Sequence, residues 1–90
     1  MVERIVVVTN PLGIHARPAA LIVQCAADYT SEISLSKGDV AGVNGKSIMG
    51  VMMLAAENGS EVKIVAEGTD AEMAVKAIGD LLESNFEESA

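Results

Sequence analysis

The stretch Gly13-Ile14-His15-Ala16-Arg17-Pro18-Ala19-Ala20 brings an imidazole, a guanidinium and a helix start within three residues of one another. Residues 16–27 are rich in Ala and free of Gly, which reads as a helix. Pro18 falls in its first turn, where a missing N–H costs no intrahelical bond. His15 therefore stands directly ahead of the helix, facing amides that lack internal partners and the positive end of the dipole. Pro18 cannot donate, so the amides of Ala16 and Arg17 are the expected hydrogen-bond donors to a phosphate. The Arg17 guanidinium adds charge-assisted hydrogen bonds to phosphate oxygens. A histidine placed there could take a phosphoryl group. The dipole favours the neutral, nucleophilic ring before transfer and the added negative charge after it, with no metal or nucleotide site required. The plainer reading, a histidine that merely caps or turns the chain, stays open on local physics alone.

A second stretch, Gly45-Lys46-Ser47-Ile48-Met49-Gly50-Val51-Met52, pairs an N-cap serine with an apolar cluster. A phosphate on Ser47 would be tolerated by the helix that follows and would add charge to the surface; an ordinary N-cap is the alternative. Ile48, Met49 and Met52 are assigned to a docking face, because flexible, polarisable methionines suit a surface that meets several partners. Core packing is the other reading, and Met53 is left unassigned. On the first helix, Arg17, Ala20, Leu21 and Gln24 share one face beside His15 by their three- and four-residue spacing. Ala19, Ile22, Val23 and Ala26 then face the core. This predicts an exposed Leu21 that serves docking, against a helix that is apolar all round. Lys46 and Arg17 are expected to give the His15 region a locally basic character that favours a phosphoryl group and acidic partners.

The elements that must carry these residues are short. Residues 4–9 read as a strand ended by the turn Asn10-Pro11-Leu12-Gly13. Ile33 and Leu35 alternate with polar neighbours, a half-buried strand. Lys37-Gly38-Asp39 turns into a return strand over 40–43. Gly50 predicts that the helix after Ser47 is short. Asn58-Gly59 leads into a strand carrying Val62, Ile64 and Ala66. Asp70 is a candidate N-cap for a helix whose apolar stripe is Ala71, Ala74, Val75, Ile78, Leu81 and Leu82, with Glu72, Lys76, Asp80 and Glu83 opposite. The order β-α-β-β-α-β-α predicts an α+β fold. Its antiparallel sheet is solvated on one face and covered by helices on the other.

Composition excludes several classes. Ninety residues make a single domain, 1–90, with one core. Cys25 has no partner for a disulfide, and one His with one Cys cannot close a structural zinc site. The net charge of -7 argues against nucleic acid. That charge lies wholly in residues 57–90, while residues 1–56 are neutral. Tyr29 and Phe86 are the only aromatics, so no base-stacking platform exists. Gly45-Lys46-Ser47 imitates the end of a phosphate-binding loop, but position 40 is Val rather than Gly. Cys25 has no second histidine to activate it and reads as a structural or semi-exposed thiol. Asn58-Gly59-Ser60 matches a glycosylation sequon but reads as a turn, because Met1-Val2-Glu3-Arg4 opens no export signal. No apolar run could span a membrane. A cytoplasmic monomer without membrane insertion, metal or cofactor is expected.

Over essentially all 90 residues, and most densely in the two stretches quoted, the sequence resembles the HPr family. These are histidine-containing phosphocarriers of the bacterial phosphoenolpyruvate-dependent phosphotransferase system. The resemblance implies an open-faced β-sandwich of four antiparallel strands with three helices on one face. It implies that His15 takes a phosphoryl group on Nδ1 from phosphorylated enzyme I and hands it to IIA components, with Arg17 stabilising the group. The protein would then be a carrier that is itself modified, not an enzyme. Ser47 matches the position that many relatives present to HPr kinase/phosphorylase. The family divides into a sugar branch and a nitrogen branch, and both share the Gly13–Pro18 motif. The segment 47–56 and the acidic Glu87-Glu88 look somewhat like the nitrogen branch. The alternative function is a regulatory binding module acting on a transcriptional regulator or an enzyme.

Overall fold

The computed structural model describes residues 1–10, 13–54 and 56–84. The expectations on Pro11, Leu12, Ala55, Phe86 and Glu87-Glu88 lie outside them. Seven elements follow the expected order: β1 (Val2–Val7), α1 (Ala16–Ala27), β2 (Glu32–Lys37), β3 (Val40–Asn44), α2 (Ile48–Met53), β4 (Glu61–Glu67) and α3 (Ala71–Glu83). The strands form one antiparallel sheet in the order β1-β4-β2-β3. β1 pairs with β4 from Val2 opposite Ala66 to Val7 opposite Glu61. β2 pairs with β4 from Glu32 opposite Glu67 to Ser36 opposite Lys63.

Alternation along the strands decides which face is covered. Val6, Ile33, Leu35, Val62, Ile64 and Ala66 are buried, while Glu3, Ile5, Val7, Glu61 and Lys63 are exposed on the opposite face. From the helices, Ala19, Ile22, Val51, Leu54, Ala74, Val75, Ile78 and Leu82 complete one core. Each large aliphatic side chain buried there contributes about 1.5–3 kcal/mol. α3 packs on β1 and β4, and α2 lies against α1 and β3.

Two local expectations are corrected. β1 ends at Val7 rather than Thr9, because the next backbone groups leave the β4 ladder. Val8 N–H donates to Ser60 O and its carbonyl accepts from Gly59 N–H, at 2.9 and 2.8 Å. Asp70 stands at the N-cap of α3 but makes no side-chain cap bond. Its carboxylate instead accepts from the amides of Thr30 (2.9 Å) and Ser31 (3.0 Å) and from the Ser31 hydroxyl. Those bonds hold its pKa at about 2, the Ser31 hydroxyl contributing most. Two apolar residues of β1, Ile5 and Val7, lie on the solvated face, Ile5 being 63% exposed.

Arg4 ties the first strand to the last helix. Its guanidinium bonds Asp80 at 3.2 Å and Glu83 at 2.8 Å. Lys76 also pairs with Asp80 at 2.8 Å. Lys76 first and Arg4 second hold the Asp80 carboxyl below its usual range.

Candidate functional site

His15 is the N-cap of α1, with an extended backbone (φ -105, ψ -164). The first intrahelical bond runs from Ala19 N–H to the His15 carbonyl, at 2.9 Å. The amides of Ala16 and Arg17 therefore lie ahead of the helical ladder, and Pro18 carries no donor. His15 thus occupies the cap position, but its side chain makes no cap hydrogen bond to this helix. No acidic residue occupies the first turn to compete for the amides. Nε2 of the ring is closed off from solvent. Arg17 is exposed and, among the described residues, enters no ion pair.

The segment ahead of His15 is fixed by partners far along the chain. Gly13 has φ +71, and a Cβ there would lie 2.7 Å from the Ala56 carbonyl oxygen. Only glycine meets both conditions without strain. Ile14 is buried, and its N–H donates to Ala56 O at 2.8 Å. Buried Asn10 donates from Nδ2 to Gly13 O at 2.6 Å and accepts Gly13 N–H on its own carbonyl at 2.9 Å. Asn58 Nδ2 reaches Thr9 O at 3.1 Å and Asn10 O at 3.4 Å. The Thr9 hydroxyl donates to Glu83 O at 2.7 Å. Neither asparagine stood out in the sequence except as a turn former. The one available signal was Asn10 three residues before Gly13, a spacing suited to a local side chain–backbone bond.

The proposed docking residues divide. Gln24 is exposed. Ile48, Met49 and Met52 are exposed, Met49 to 75%, and the unassigned Met53 joins them at 66%. Val51 and Leu54 turn inward. Leu21 is not fully exposed: it and Ala20 are half-buried, and Leu21 packs partly against the core. The reason is α3, which runs beside α1 and makes a groove of Leu21, Cys25, Ala77 and Leu81. Val23 is likewise only half-buried.

Lys46 departs further from expectation. Its ammonium donates to the Tyr29 carbonyl at 2.7 Å, beyond the C-terminal end of α1. His15 sits at the other end. Twelve helical residues separate them by about 18 Å, so Lys46 and Arg17 do not make one basic patch around His15.

Ser47 caps α2 as expected, its hydroxyl accepting Gly50 N–H at 3.1 Å. α2 is six residues long. A Cβ on Gly50 would meet Asn44 O at 3.0 Å, so glycine lets the helix pack closely on β3. Cys25 is half-buried, and burial first, then Asp28, pushes its thiol up. Among the described residues, no cluster of His, Cys, Asp or Glu could hold a metal ion, and no helix is long and apolar enough to cross a membrane.

Comparison with known proteins agrees with this architecture. Residues 2–84 match the family model described as the PTS HPr component phosphorylation site. A phosphocarrier protein HPr from Treponema pallidum is 52% identical over 88 residues, covering 98% of this chain and 99% of its own length. The crystal structure of an HPr from Thermoanaerobacter tengcongensis superposes with a TM-score of 0.89 at 48% identity, over the whole of both chains. An HPr dimer from the same organism gives 0.74 at 49% identity, covering 98% of this chain and 100% of the other.

Proposed function

This chain belongs to the HPr family of phosphotransferase-system phosphocarriers, and from that premise we propose which residues carry the phosphoryl group and how. The protein is a carrier rather than an enzyme. His15 is the acceptor, and its Nδ1 attacks phosphorus, since Nε2 is closed to an incoming partner. One bond forms from Nδ1 to phosphorus while the bond from phosphorus to its donor on enzyme I breaks, and the electron pair stays with that donor. The second transfer, to a IIA component, reverses the roles. The amides of Ala16 and Arg17 and the Arg17 guanidinium hold the phosphoryl oxygens between the two events. The observation that carries this reading is an N-cap histidine whose side chain does not bond back to the helix, followed by an exposed Arg17.

Partners dock on Gln24, the exposed parts of Ala20 and Leu21, and the apolar face of Ile48, Met49, Met52 and Met53. Lys46 lies at the far margin of this surface. One copy is the working carrier in this reading. Sedimentation across a concentration series checks this against the dimeric relative. Ser47 is the regulatory position. A phosphate there keeps an acceptor for Gly50 N–H and adds charge beside Ile48 and Met49, which weakens docking.

The deciding experiment incubates the protein with phosphoenolpyruvate, Mg²⁺ and enzyme I and looks for acid-labile phosphate. His15→Ala should abolish the label while leaving the circular dichroism unchanged. Label retained in that variant would defeat the assignment. Treatment with an HPr kinase and ATP, followed by mass spectrometry, tests Ser47.

A further inference from the structure

We propose that Asn10 is a positioning residue for phosphoryl transfer at His15, with Asn58 as its support; this rests on His15 being the acceptor. Asn10 is 2% exposed, one of two fully buried polar residues among those described. A buried amide is retained at a cost unless its hydrogen bonds are made. Here the Asn10 side chain serves the peptide group that precedes the acceptor.

The peptide joining Gly13 to Ile14 is gripped at both ends. Its carbonyl accepts from Asn10 Nδ2 at 2.6 Å, and its N–H donates to Ala56 O at 2.8 Å. A plane held at both poles cannot rotate without breaking one of the two bonds. Between it and the imidazole lie the backbone torsions of buried Ile14, the φ torsion of His15 and the two side-chain torsions of His15. On the far side, the His15 carbonyl is fixed by Ala19 N–H at 2.9 Å. The acceptor is thus fixed from both directions, by the Asn10–Ala56 grip upstream and by the helix downstream. Asn58 steadies the grip from outside by bridging the carbonyls of Thr9 and Asn10. The consequence for transfer is orientation: the imidazole meets phosphorus in line while the product oxygens reach the helix amides.

Asn10→Ala, Asn10→Asp and Asn58→Ala test this, with Arg4→Ala as a comparator that loses cross-links between β1 and α3 but none of the bonds made by the two asparagines. Asn10→Asp preserves shape but replaces the donor by an acceptor facing the Gly13 carbonyl. Each protein is titrated as the substrate of phosphorylated enzyme I, at a temperature where circular dichroism shows it fully folded. A positioning role lowers kcat about tenfold or more and leaves KM within about twofold, because the docking helices are untouched. Hydrogen exchange at the Ile14 amide should accelerate in parallel. Unchanged kcat in folded Asn10 variants overturns the proposal, as does a fall no larger than that of Arg4→Ala. Where the Asn10 variants do not fold, exposed Asn58→Ala decides instead. A kcat reduced about threefold supports the proposal, and an unchanged one overturns it. Wild-type protein that takes up no phosphoryl group, or His15→Ala that keeps it, defeats the His15 assignment itself, before any asparagine variant is compared.

Discussion

The guanidinium of Arg4 occupies the space that a side chain at Gly79 would need: a Cβ there would lie 2.5 Å from Nη1. The glycine is buried on α3, and its bareness lets Arg4 cross the helix to reach Asp80 and Glu83.

Gly79→Ala should therefore gain less than its helix propensity, which alone favours Ala by about 1 kcal/mol. Urea denaturation should show little or no net gain, because the Arg4 guanidinium must move aside and give up exposed ion pairs that are each worth little. In an Arg4→Ala background the same substitution should become stabilising. A double-mutant cycle with no coupling would refute the crowding account.

Asp70 should govern part of the acid response. Its carboxyl sits at about 2 in the folded protein against an ordinary 3.8. A folded-state pKa below the unfolded one stabilises above the unfolded value, and that contribution disappears as pH falls from about 4 through 2. Asp70→Asn should flatten the stability profile in that window. A profile as steep as that of the wild type would show that other carboxylates dominate.

Gly13→Ala should cost about 1–3 kcal/mol from positive φ and from contact with the Ala56 carbonyl. It should also slow phosphoryl acceptance, since residue 13 leads directly to His15. Thermal denaturation and single-turnover transfer, measured on one preparation, separate the two effects.

Arg17→Ala should leave the melting temperature within about 2 °C, because the side chain is exposed and unpaired among the described residues. Loss of a charge-assisted bond worth about 1.5–3 kcal/mol should slow transfer by roughly 10- to 150-fold. A transfer rate equal to wild type would remove Arg17 from the site.

Met49→Glu should raise the KM for enzyme I with little change in kcat or stability. Met49 is 75% exposed and packs no core, yet desolvating a new unpaired carboxylate in an interface costs more than the ~1–3 kcal/mol of a neutral polar group. An unchanged KM would move the docking surface elsewhere.

The elements were legible because each carries its own periodicity. α1 was read at its true limits from Ala content and Pro18, and the stripe along α3 named its buried face. What escaped depended on contacts between distant segments. Asp70 looked like a cap because Asp is a good one; nothing local announces Thr30 and Ser31 as its partners. Leu21 looked exposed from the spacing within α1, which cannot register α3 alongside. Lys46 looked close to His15 because both flank candidate functional stretches, but a side chain of that reach was drawn to the carbonyl of Tyr29. His15 and Arg17, the proposed acceptor and its arginine, stand in one contiguous motif, whereas Asn10 and Asn58 became visible only through the grip they make.

That grip has a temporal meaning as well. The motif from Gly13 to Pro18 is finished early in synthesis, but its supports are Ala56, Asn58, Ser60 and the carbonyl of Glu83. A ribosome-bound chain that has already exposed its histidine still lacks the frame that aims it. The frame around His15 is therefore complete only once residues 56–83 have folded against the segment that precedes it.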